Sequence, residues 1–257
     1  MSPPRKFVRA LPVLALLALA SCMDPVTEHR VRGNAHFREG DYQGAIAEYD
    51  EGLKARPNDA ATLILKGNAL YELGQLDGAY EAYAKGSVSD VTAADAVRGM
   101  ALIATRKGDL RDAAKQFERL LTLPKHEHDS TTRVNLAKIY LAQGDLAAAE
   151  KQGEAAGHEN GNDEAVLFTL GRVYLAEGKP AEARGTFQHL AETNPTKASG
   201  AYGLSMVAAK EGKKDEMLAS LASAIKLGVP DPAAIAGEPA FAAFKDDPQF
   251  LAALPKK

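Results

Sequence analysis

EAVLFTLGRVYLAEGKPAEARGTFQHLAETNPTK, residues 164–197, is the stretch whose reading decides the fold. Leu167, Leu170, Val173 and Tyr174 recur at helical spacing, and Ala183, Phe187 and Leu190 do so again after Gly178. The stretch closes on Asn194-Pro195, where the residue before proline is pushed out of the helical region. Two short amphipathic helices broken by a glycine make a helical hairpin. One hairpin cannot bury its apolar stripe alone, so this one needs neighbours.

The glycine leads outward along the chain. Gly40, Gly74, Gly108, Gly144, Gly178 and Gly212 follow one another at intervals of 34, 34, 36, 34 and 34 residues, the signature of a repeated structural unit. Five residues after each stands Ala45, Ala79, Ala113, Ala149, Ala183 and finally Met217. Seven residues before each stands Gly33, Gly67, Ala101, Ala137, Gly171 or Ser205. Small residues are needed there because helices cross closely only where one of them lacks a bulky side chain.

This pattern resembles the tetratricopeptide repeat, whose unit is two antiparallel helices in 34 residues. The resemblance implies an all-α, right-handed superhelical solenoid of about six helix-turn-helix repeats, at residues 26–59, 60–93, 94–129, 130–163, 164–197 and 198–231. Residues 232–257 break the period. They carry Phe241, Phe244, Phe250 and Leu254 with Asp247-Pro248 placed as a helix start, and read as a terminal cap over the last repeat. Repeat four looks weakest: Gly153 stands where other repeats have Tyr, Phe or Leu, and GHENGND at 157–163 predicts a flexible loop.

The first residues have a different character. Arg5, Lys6 and Arg9 precede an apolar run at 11–20 that is short for a membrane span, and Leu19-Ala20-Ser21-Cys22 follows. Cys22 is the single cysteine, which excludes an intramolecular disulfide and a cysteine-based metal site. Leu-Ala-Ser-Cys resembles a bacterial lipobox. That resemblance implies a signal peptide at 1–21, acyl chains such as palmitate on Cys22, and a tether at 22–25 that reaches roughly 14 Å. Met23, rather than an aspartate, after the cysteine implies delivery to the outer membrane, facing the periplasm. Without the leader's three basic residues the chain has 28 basic against 34 acidic residues, a formal −6, which gives no electrostatic reason to bind nucleic acid.

No catalytic constellation is visible, so the chain reads as non-enzymatic, with no cofactor and no metal. His126-Glu127-His128 has ligand chemistry but poor spacing, and reads as a polar loop; His29, His36, His158 and His189 are scattered. Binding is the better expectation. In the resembled family the first helix of each repeat lines a concave groove, and carrying over its groove positions gives Arg30, Asn34, Phe37, Arg38, Asn68, Tyr71, Arg98, Arg106, Lys138, Phe168, Arg172, Tyr202 and Lys210 as the partner-contacting set. Ile64, Glu72, Asp95, Leu102, Thr105, Val134, Leu141, Leu175 and Met206 share that register. Seven of these residues are basic and only Glu72 and Asp95 acidic, which predicts an acidic or carboxylate-bearing peptide segment as ligand, with Phe37, Tyr71, Phe168 and Tyr202 as apolar anchors. Arg30 and Asn34 match half of the family's carboxylate clamp, but Leu65, Asp95 and Gly99 occupy the remaining places, which argues against chaperone-tail recognition in that style.

The layout, a lipobox followed at once by about six repeats, resembles pilotin-type lipoproteins of the type IV pilus. It implies a membrane-anchored scaffold for envelope proteins that assists assembly of the outer-membrane secretin. The alternatives are a lipoprotein of another envelope system, such as the tight-adherence pilus or outer-membrane protein assembly, or a regulator of a peptidoglycan enzyme.

Overall fold

The structure is a computed structural model that describes residues 24–88, 93–229 and 231–255. The leader, Cys22 and Met23 of the tether lie outside the described residues. Contacts divide the chain into two units, one ending at Ile103 and one beginning at Ala104.

The first unit contains α1 (Pro25–Arg38), α2 (Tyr42–Ala55), α3 (Ala60–Glu72), α4 (Leu76–Gly86) and the start of α5 (Ala93–Lys107). The second continues α5 and adds α6 (Leu110–Leu121), α7 (Ser130–Gln143), α8 (Leu146–Asn160), α9 (Glu164–Ala176), α10 (Pro180–Thr193), α11 (Ala198–Lys210) and α12 (Lys214–Leu227). Two 3-10 turns, Pro232–Gly237 and Pro239–Phe244, and α13 (Pro248–Ala253) follow. The described residues contain no strand, and none of their helices is long and apolar enough to cross a membrane.

The hinges follow from local chemistry. Gly40, Gly74, Gly108, Gly144, Gly178 and Gly212 all sit in the left-handed region with φ between +72° and +79°, where a Cβ is strained. Three are followed by an aspartate, Asp41, Asp109 or Asp145, whose carboxylate accepts the amide of Gly44, Asp112 or Ala148 at 2.9–3.1 Å and so starts the second helix.

Packing within each unit rests on an aromatic ring lodged against glycine. Tyr83 in α4 lies between Gly67 and Gly99: a Cβ on either would stand 2.7 Å or 2.5 Å from its ring. Phe187 in α10 lies the same way between Gly171, whose Cβ would stand 2.6 Å from the ring, and Gly203, where the approach is closer still. Both rings are buried. Tyr49 meets Gly33 alike.

Repeat four departs from the predicted loop. Helix α8 continues through Asn160, so residues 157–160 are helical. Its inner face is occupied: Ala156 is fully buried, and Leu170 of α9 fills the space over Gly153, with Cδ1 3.0 Å from where a Cβ would stand. Arg133 of α7 ties the far end down, donating from Nε to Glu159 at 2.9 Å and from Nη1 to Gln152 at 3.2 Å. His128 also reaches Glu159, at 3.2 Å.

The C-terminal segment packs onto the last repeat. Ile235, Phe241 and Phe250 are buried in one apolar cluster with Met217 and Leu221 of α12, and Lys214 pairs with Asp247, the N-cap of α13.

Candidate functional site

In the first unit the groove-register residues are largely committed to holding the hairpins together. Asn34 accepts the Tyr49 hydroxyl at 2.7 Å and Asn68 accepts that of Tyr83 at 2.6 Å. Burial pushes the Tyr83 hydroxyl up to about 12, so it stays a neutral donor. Arg30 lies 3.5 Å from Asp59, and Arg38 donates to the Asn34 carbonyl at 3.2 Å. Phe37 stands edge-on to Tyr42, 5.2 Å between centroids, and packs on the Ala45/Tyr49 cluster. Ile64 is buried outright. Tyr71 and Arg98 are half-buried, each engaged in an interaction of its own.

In the second unit the groove register opens instead onto a cleft of about 850 Å³ beside α9 and α11. Lys138 from α7, Phe168 and Arg172 from α9 and Tyr202 from α11 all line it, four of the residues expected from the sequence. Phe168 and Tyr202 stack at 6.3 Å and 17°, and Phe168 rests on Phe187 at 5.8 Å, so the aromatic pair is held from behind by the repeat's own core. Thr169 is buried at 2 % exposure, lines the same cleft, and its Oγ1 has no hydrogen-bond partner among the described residues. A buried hydroxyl left unmatched costs free energy that a ligand can recover. A second cleft of about 380 Å³ shares Lys138 and Arg172 and adds Leu141, Leu175, Met206 and Lys210. Arg106, at the end of α5, is exposed and engaged elsewhere.

Charge in these clefts is less one-sided than the groove register predicts. Desolvation and the neighbouring Arg172 guanidinium lower the Lys138 ammonium, and Asp163 partly offsets them. Lys138 makes no hydrogen bond or ion pair among the described residues. Arg172 lies 3.7 Å from Glu238, which arrives from the C-terminal segment. Asp163, Glu164 and Asp231 also line the larger cleft, but each is engaged. Asp163 caps α9, Glu164 accepts the Ser199 hydroxyl at 2.8 Å, and Asp231 caps the first 3-10 turn. These acids fall outside the groove register because they sit at helix starts and in the aperiodic tail; Gly237 and Pro239 on either side of Glu238 are turn signals. What the arrangement can do is seat an extended segment on an aromatic floor and hold a negative group at the Lys138/Arg172 end.

The family profile of the tetratricopeptide repeat matches residues 30–90, 98–164 and 168–234. No curated protein matches the sequence. Among solved structures, MamA is similar at 24% identity and TM-score 0.61, over 68% of this chain and 94% of its own. PilF of Pseudomonas aeruginosa is similar at 15% identity and TM-score 0.63, over 86% and 96%. PilW, a type IV pilus biogenesis factor, is similar at 15% and 0.62, over 78% and 92%. At these identities the likeness is one of fold.

Proposed function

The chain belongs to the tetratricopeptide repeat family, and from that premise we propose that it is a non-enzymatic scaffold, anchored in the outer membrane of a bacterial envelope through lipidated Cys22, that assists assembly of the type IV pilus secretin. The groove reading within it rests on one observation: Lys138, Phe168, Arg172 and Tyr202, separated by up to 64 residues in sequence, line a single cleft. In this reading a partner lays an acidic or carboxylate-bearing peptide there. Its carboxylate meets Lys138 and Arg172, an apolar side chain rests on Phe168 and Tyr202, and a backbone group satisfies Thr169 Oγ1. The envelope part is supported by the lipobox-like Leu19-Ala20-Ser21-Cys22 and by its short distance from the first repeat. The pilus part is supported by layout, and by likeness in fold to PilW, itself a type IV pilus biogenesis factor.

Capture from crosslinked envelopes tests it, with the natural chain run beside Cys22→Ala and bound proteins identified by mass. The expected result is a secretin subunit recovered with the lipidated form and lost with the variant. Recovery of peptidoglycan enzymes, or of another envelope machine, instead of a secretin contradicts the pilus assignment and leaves the cleft to be judged on its own.

A further inference from the structure

After α12 the chain turns back over α11 in two 3-10 turns, each opened by a proline, Pro232 or Pro239. Phe241 lies 6.0 Å from the Tyr202 ring and 5.3 Å from Phe250. Between these turns stands Glu238, and it borders both clefts: the larger with Phe168 and Thr169, the smaller with Leu175 and Met206. The tail's apolar anchors are buried and Lys214 fixes its far end at Asp247, but the hold at Glu238 is slight. Its side chain is only 19% exposed, yet its single ion pair among the described residues is the long one to Arg172, whose own side chain is 41% exposed. Arg172 thus faces Glu238, while Lys138, its charge offset only by that of Asp163, makes no ion pair among the described residues.

A partly exposed pair of this kind is weak. Tethering changes its effect, because a group carried on the same chain competes at an effective concentration of roughly millimolar. We propose that Glu238 is a built-in competitor for this site, a carboxylate of the chain itself that occupies Arg172 until a partner's carboxylate, meeting Arg172 and Lys138 together, takes its place. The inference rests on the peptide reading of the cleft and adds what sets its selectivity: a ligand without a negative group leaves Glu238 where it is and gains little.

The test uses fluorescein-labelled acetyl-Glu-Pro-Ala-Phe-Ala-Ala-amide, a copy of residues 238–243, and its Gln-for-Glu counterpart as probes. Anisotropy titrations are run on the full chain and on Glu238→Gln, Arg172→Met and the double variant. Glu238→Gln keeps the shape of the tail and removes only the competing charge. It is expected to bind the acidic probe about fivefold more tightly than the natural chain, roughly 1 kcal/mol at 1.4 kcal/mol per decade. The gain should be absent with the Gln probe and absent in the double variant. Glu238→Ala, which loses the amide as well, should show the same gain, and a thermal midpoint equal to that of the natural chain confirms that the tail remains docked. If Glu238→Gln binds no better while Arg172→Met still weakens binding, the competitor is overturned and the cleft stands. If no form binds, or binding ignores Arg172, the peptide reading falls and the competitor with it.

Discussion

The two units build the same aromatic-on-glycine joint from different aromatics, and the difference decides which groove positions are left for a partner. In the first unit the ring is tyrosine, and the hydroxyl of Tyr49 or Tyr83 needs an acceptor inside the hairpin. Asn34 and Asn68, each at the ninth place of its repeat, are drawn inward to supply it. In the second unit the corresponding residue is Phe187 in repeat five and Gly153 in repeat four, and neither makes a polar demand. The ninth places are then Arg172 and Lys138, both in the cleft. A single oxygen on the core ring therefore separates a position that serves stability from one that can serve binding.

The largest expected effect tests the joint itself. Gly203→Val places a branched side chain against the Phe187 ring, which is closed in on its other side by Gly171. Overpacking of this kind costs about 3 kcal/mol, readable as a lower urea midpoint, whereas Gly157→Ala, inside α8 with open space around it, should raise the midpoint, by about 0.5–1 kcal/mol of stability.

Next comes a transplant. Phe187→Tyr combined with Arg172→Asn rebuilds the first unit's joint in the second. Stability should stay within about 1 kcal/mol of the natural chain, because donor and acceptor arrive together. Affinity for the acidic hexapeptide should fall about tenfold, 1.4 kcal/mol, since the cation has gone from the cleft. Full retention of binding would break the comparison.

The reverse change is gentler. Tyr83→Phe strands Asn68, which is half-exposed and can turn to water, so a loss of about 1 kcal/mol is expected by urea unfolding. Tyr83→Phe with Asn68→Leu should recover most of it, and a double-mutant cycle measures the coupling directly.

Smallest is a pH effect confined to the first unit. Desolvation raises the Asp59 carboxyl, but hydrogen bonds from the Thr62 hydroxyl and amide, with the charges of Arg30 and Arg56, outweigh it and hold the group below the ordinary aspartate value. A depressed carboxylate adds stability above its unfolded pKa and loses it as pH falls through the folded one. Screening limits this to a few tenths of a kcal/mol. As the pH falls through the ordinary aspartate range and below it, the natural chain should therefore lose slightly more stability than Asp59→Asn, measured by thermal unfolding at each pH.

Much of the joint is legible in the sequence. The glycine period locates the hinges because an αL turn excludes a Cβ, and the small residues seven places earlier mark the crossings. What spacing alone does not reveal is that one ring is gripped from both sides. Gly99 stands out in the sequence only as a missing polar partner, yet it is the second wall of Tyr83. The loop predicted at 157–163 is largely helix, because Leu170 comes from the following repeat to fill the space over Gly153 and a same-repeat pattern cannot show it. Asn34 and Asn68 have the register of groove residues, and only the hydroxyl fifteen residues on turns them inward. Glu238 has no register at all, lying where the period has ended.

Binding capacity concentrates where the core ring makes no polar demand, and a nitrogen-15 NMR titration of the protein with unlabelled acetyl-Glu-Pro-Ala-Phe-Ala-Ala-amide reads this residue by residue. Shifts are expected to gather on Lys138, Thr169, Arg172, Tyr202 and Glu238, with Asn34 and Asn68 unmoved. Shifts centred on Asn34 and Asn68 instead, or none at Arg172, would contradict it.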